Sequence, residues 1–135
     1  MALFNWSDNY SVSVAEMDSQ HKKLLDILNE LYEAMNQRKG NEILNKVLTD
    51  LINYTRMHFA AEERYMQTHN YPGYNDQKKE HDFFIEKIKG FQSDLNAGKL
   101  TLSIEISTFL KNWLVNHISV VDKKYGSFFN AKGLK

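Results

Sequence analysis

Apolar residues recur every three or four positions through four long segments of this 135-residue chain, and the strong breaks between them are Gly40, Pro72 with Gly73, and Gly98. That period puts the apolar side chains on one face of an amphipathic helix. The first stripe runs Leu24, Leu28, Leu31, Met35, and the second Leu44, Val47, Leu51, Tyr54 and on to Met66. The third runs Phe84, Ile88, Phe91, Leu95, and the fourth Ile106, Leu110, Trp113, Val120 or Val121, and Phe128. Gly40 and Gly98 can take the left-handed conformation that closes a helix, and Pro72 cannot extend one. We expect helices over about residues 19–38, 42–70, 75–96 and 102–129. Short connections make neighbouring helices antiparallel, so the expected fold is all-α, an antiparallel up-down-up-down four-helix bundle. Residues 1–17 break the period: Val12 and Val14 alternate with serines, and Phe4, Trp6 and Tyr10 are scattered among polar residues. They read as an extended N-terminal arm packed on the bundle, and residues 1–135 read as a single domain.

Composition narrows the chemistry. The chain has no Cys, which excludes iron–sulfur clusters, thiolate zinc sites, thiol nucleophiles and disulfides. A chain of this length buries enough surface to fold without a structural metal, so any metal would serve function. Lysine and arginine together number 17, as do aspartate and glutamate, and this balance argues against nucleic-acid binding. The first twenty residues hold Asp8, Glu16 and Asp18 and no long apolar run, and no later stretch is apolar enough for a membrane span. A cytoplasmic location, away from membranes, is the expectation.

Each apolar stripe, extended at helical spacing, meets a histidine: His21, His58, His81 and His117. A single inward histidine is ordinarily a buried imidazole bonded to a carbonyl. Four are a different matter when their heights agree. His21 lies 19 residues before Gly40 and His58 lies 18 after it, while His81 lies 17 before Gly98 and His117 lies 19 after it. Antiparallel helices folded at those glycines bring each pair to one level, because both rise about 1.5 Å per residue. His58 and His81 both lie toward the Pro72 end, so all four rings share one half of the bundle. Clustered there unsatisfied they would cost several kcal/mol, and a metal would satisfy them.

Two carboxylates share the layer. Glu62 follows His58 by four residues and shares its face. Asp122 follows His117 by five, about 140° further round an ideal helix, so it points inward only if the helix widens locally, as in a π-bulge. Imidazole and carboxylate donors without sulfur suit iron, zinc, manganese or copper. Four imidazoles and two carboxylates exceed one four-coordinate ion and fit two ions bridged by the carboxylates. The remaining histidine, His69, lies two turns beyond Glu62 and reads as a surface or loop residue.

In order, the motifs are Asp18-x-Gln20-His21, His58-Phe59-x-x-Glu62-Glu63-x-x-Met66, Tyr71-Pro72, Glu80-His81-x-x-Phe84, and Trp113-Leu114-x-x-His117-Ile118-x-x-x-Asp122-x-x-Tyr125. They resemble the hemerythrin family, specifically its single-domain bacterial members, over nearly the whole chain. Myohemerythrin is itself a standard instance of the up-down-up-down bundle, so the expected architecture agrees with the resemblance without adding to it. The resemblance implies two Fe ions in an oxo- or hydroxo-bridged non-haem centre that binds O2 reversibly, for storage, delivery or sensing. It assigns His21 and His58 to one iron and His81 and His117 to the other, with Glu62 and Asp122 bridging. Leu114 and Ile118 become candidates for the wall of the O2 pocket.

One departure matters. The family carries two ligand histidines four residues apart on its third helix, and the first of those places is held here by Gln77. An amide is a poorer donor to iron than imidazole. The freed position would be filled by water, by Gln77, or left open, and that iron would be held more weakly or replaced by zinc. The expected consequence is impaired or altered reversible O2 binding. The alternative function is a peroxidase-like or nitric-oxide-reactive di-iron oxidoreductase. Gln20, Glu63 and Glu80, each beside a candidate ligand, are the available partners for the outer imidazole nitrogens.

Overall fold

A computed structural model describes residues 5–37, 41–98 and 102–135. Among these the fold is all-helical, as the periodicity predicts. Helices α1 (Ala15–Asn36), α2 (Asn41–Thr68) and α3 (Tyr74–Asn96) form three rods. The fourth is continuous but not uniform: α4 (Leu102–Asn116), a π-helical turn (His117–Asp122) and α5 (Lys123–Ala131). Each rod packs against its neighbours in the order α1–α2–α3–α4, and α4 closes the ring against α1. No described helix is long and apolar enough to cross a membrane.

The predicted stripes form the core. Leu24, Leu28, Leu31, Val47, Leu51, Phe84, Ile88, Phe91, Ile106 and Leu110 are buried in one cluster. Gly40, expected to end the first helix, lies outside the described residues. The second helix ends as the sequence allows, but earlier than residue 70. Asn70 takes a left-handed φ of 55°, and Tyr71 N–H bonds back to the Met66 carbonyl at 2.8 Å. This closes the last turn just before Pro72.

Two expectations need correction. The arm is shorter than 17 residues, because α1 already begins at Ala15. Asp18, inside α1, accepts hydrogen bonds from Ser11 Oγ (2.6 Å) and Val12 N–H (2.8 Å), tying the arm to the first turn. The fourth stripe also slips by one residue. Phe129, not Phe128, is fully buried, and Val120 is exposed, because the wide π-turn absorbs an extra residue and shifts the face that follows.

Below the main core sits a second cluster of Val12, Val14, Met17, Met66, Tyr125 and Phe129, which binds the arm to the end of the fourth rod. Gly126 permits that approach: a Cβ there would stand 2.1 Å from the Val12 carbonyl oxygen. The donor-bearing histidines lie between the two clusters.

Candidate metal centre

His21, His58, Glu62, Gln77, His81, His117 and Asp122 are all at most 1% exposed and converge on one layer of the bundle. Helical spacing carries most of them there. Glu62 stands one turn beyond His58 on α2, and Gln77 one turn before His81 on α3. Asp122 reaches the layer because residues His117–Asp122 form a π-turn, the local widening that a five-residue spacing requires.

The donors fall into two groups whose ligand atoms lie within 4.8 Å of one another: His21, His58 and Glu62, and Glu62, His81, His117 and Asp122. Glu62 belongs to both. Its Oε1 lies 3.3 Å from His58 Nε2 and 3.3 Å from His81 Nε2, while its Oε2 lies 3.4 Å from His21 Nε2. Asp122 spans the same gap, with Oδ1 3.0 Å from His117 Nε2 and Oδ2 3.3 Å from His21 Nε2. Despite these short separations, His81 Nε2, His117 Nε2, both nitrogens of His21, Glu62 Oε1 and Asp122 Oδ2 make no hydrogen bond of acceptable geometry. Buried polar atoms seldom go without partners, and here several do so around one place. The group is thus chemically and sterically suited to hold cations that its members face together.

The outer nitrogens are satisfied. His58 Nδ1 pairs with Gln20 Oε1 at 2.6 Å, His81 Nδ1 with Glu63 Oε2 at 2.8 Å, and His117 Nδ1 with Glu80 Oε1 at 3.0 Å. With Nδ1–H donating outward, Nε2 is the nitrogen turned inward in each ring. Aromatic faces fix the rings further: Phe59 stacks on His81 at 3.9 Å and Trp113 on His117 at 4.2 Å between ring centres. The sequence offers Gln20, Glu63 and Glu80 as partners because each lies beside a ligand, but each bonds an imidazole on another helix, 18 to 38 residues away, and neither that pairing nor the stacked rings could be read from adjacency. Nor could the hydrogen bond from Tyr125 O–H to Glu62 Oε2, which joins residues 63 apart.

Electrostatics follow from this crowding. Burial alone would lower the proton affinity of His21, but hydrogen bonds and charge from Asp122 and Glu62 raise its pKa to about 9. Burial opposes the charged form of His117 as well, and Asp122 with Glu80 and Glu62 raises it to about 10. Burial pushes the Glu62 carboxyl up, yet the surrounding His58, His21 and His81 hold it well below the usual carboxylate range. Asp122 is likewise lowered, by His117 and His21 against burial and the charge of Glu62. Burial next to two carboxylates pushes the Tyr125 hydroxyl far up.

Gln77 donates its amide to Asp122 Oδ1 (3.1 Å) and to the Val121 carbonyl (3.4 Å), and its Oε1 is buried without a partner. Ile118 is buried in the main core, whereas the Leu114 side chain lies outside the described residues. His69 stands away from the donors, its ring 5.7 Å from that of Phe129. A groove of about 340 Å³ between α2 and α3 reaches the outer edge of the layer at Phe59, Glu63 and His81.

Comparison with known proteins agrees with the geometry. Residues 12–129 match the family described as the hemerythrin HHE cation binding domain. Bacteriohemerythrin of Methylococcus capsulatus is 36% identical over 132 residues, covering 97% of this chain and all of that protein. Bacteriohemerythrin of Pseudomonas aeruginosa is 32% identical over 125 residues, covering 93% of this chain and 80% of the relative. A solved wild-type hemerythrin structure superposes with a TM-score of 0.84 at 34% identity, over 93% of this chain and 97% of that one.

Proposed function

The chain belongs to the hemerythrin family, and from that premise we propose that it holds two iron ions in the buried layer and binds O2, or a ligand of similar size, there. His21 and His58 would hold one ion, His81 and His117 the other, and Glu62 and Asp122 both. The observation that carries this reading is the sharing of Glu62 by two buried donor groups, several of whose inward atoms lack hydrogen bonds. When bound, the ion pair supplies reducing equivalents and a position at which a small molecule is taken up.

The protein's own part is to orient and enclose. Gln20, Glu63 and Glu80 fix the tautomer and rotation of three imidazoles, so that each presents Nε2 inward. Phe59 and Trp113 cover ring faces that would otherwise meet solvent. Tyr125 donates its proton to Glu62 and, with its pKa far above neutrality, keeps that proton in place. Ile118, buried in the main core, would serve as apolar wall beside the bound ligand. The protein functions in O2 storage, delivery or sensing, in the cytoplasm, as a single domain.

Gln77 tilts the balance. With an amide in place of a third imidazole, the ion beside His81 and His117 is held less firmly and is more readily opened to incoming ligands, and O2 binding becomes shorter-lived. The same opening favours a second reading, turnover of peroxide or nitric oxide. An anaerobic iron titration followed by O2, recorded optically, tests both readings beside Gln77→His. The expected result is an O2-dependent band that decays quickly in the native protein and persists in the variant. A band lasting hours in the native protein would overturn the effect ascribed to Gln77. Steady turnover with peroxide and a reducing dye would select the oxidoreductase.

A further inference from the structure

Two acceptors flank the Gln77 carboxamide, Asp122 Oδ1 and the Val121 carbonyl oxygen. They fix its orientation. Turned the other way, Oε1 would stand against two oxygens with no proton between them, in a site where water cannot screen the repulsion. The amide nitrogen is thereby committed to the α4–α5 rod, and Oε1 is the free end. That oxygen is buried and unpartnered, on a side chain 1% exposed, one turn before His81. A buried amide oxygen without a donor keeps an uncompensated desolvation cost unless something occupies its lone pairs.

From this geometry we propose that Gln77 Oε1 is a ligand of the ion held by His81 and His117, and that the added oxygen makes this position the harder of the two, selective for Mn(II) when Mn(II) and Fe(II) are both offered. The inference rests on the dinuclear reading above and deepens it. Counting side chains, each position draws two imidazoles and shares the two carboxylates, and only the His81–His117 position adds a carbonyl oxygen. Carbonyl and carboxylate oxygens suit manganese, whereas imidazole favours the later and softer ions. Mn(II) binds most sites more weakly than Fe(II), so the preference is between the two positions and not in overall affinity. Asp122 supports it: its Oδ1 accepts from Gln77 while its Oδ2 faces His21, so one carboxylate ties the amide orientation to the partition between the ions.

The test loads the intact metal-free protein anaerobically with one equivalent each of Mn(II) and Fe(II). Anomalous diffraction at the two absorption edges then gives the occupancy of each position. We expect manganese concentrated beside His81 and His117, with Gln77 Oε1 directed at it. In Gln77→Leu, which removes the oxygen and keeps the bulk, the manganese preference should be lost and the two metals should distribute equally between the positions. Far-UV circular dichroism confirms that the variant is folded, and Gln77→His should likewise abolish the manganese preference. Equal distribution, manganese beside His21 and His58, or an amide nitrogen facing the ion would overturn the inference while leaving two-metal binding intact. Failure to take up either metal would overturn both.

Discussion

Glu62 is the residue on which the centre turns, since it touches His21, His58 and His81 and accepts a hydrogen bond from the Tyr125 hydroxyl. Glu62→Gln removes the charge from both positions at once. The expected outcome is a drop from two bound metals to fewer than one per chain, read by elemental analysis after desalting. Glu80 acts one contact further out, through His117 Nδ1. Glu80→Ala should weaken metal binding about 10- to 100-fold in a chelator competition, as loss of such orienting partners does. Glu86→Ala, on an exposed carboxylate of the same helix, should leave it unchanged. His21 stands apart from its three counterparts because its Nδ1 has no partner. Gln20, its neighbour in sequence, bonds His58 on the next helix instead, just as Glu80, beside His81, bonds His117.

At the scale of elements, the fourth rod sets what the sequence could and could not reveal. Period-three-and-four stripes located all four helices, since burial of one face is a local property of helical sequence. The height match across Gly40 and Gly98 located the four histidines, since rise per residue is constant. The five-residue gap from His117 to Asp122 required a wide turn, and the π-turn is there. Its downstream effect was not legible, because the extra residue changes the phase of every side chain after it, moving burial from Phe128 to Phe129. Contacts between distant segments were equally hidden, among them Tyr125 with Glu62 and Gly126 with the Val12 carbonyl. Gly126→Ala tests the second. Its Cβ would meet backbone, which cannot rotate away, so the arm must lift from α5. We expect a loss of about 1–3 kcal/mol in urea unfolding, with metal content retained.

For the molecule as a whole, the metal-free and metal-loaded proteins should respond oppositely to pH. In the metal-free fold His21 and His117 are raised from 6.5 to about 9 and about 10. Folding therefore favours their protonated forms. That stabilisation is complete below about pH 6.5 and is lost as pH rises through 9 to 10. Glu62 and Asp122 are lowered, so their contribution is present above the ordinary carboxylate range and is lost on acidification. Metal-free protein should thus be most stable in mildly acidic solution, with its Tm falling between pH 7 and 10. Metal must displace the imidazole protons, so loading at pH 7 should release protons into weak buffer, and the Tm gap between loaded and free protein should widen toward alkaline pH. A gap that narrows would contradict the assigned protonation. Whether one buried layer holds two ions shared by Glu62 and Asp122 is decided by an iron-edge anomalous map of crystals grown from anaerobically iron-loaded protein. Two peaks per chain are expected, one beside His21 and His58 and the other beside His81 and His117, with both carboxylates between them. A single peak, no peak, or iron bound elsewhere on the chain would contradict that arrangement.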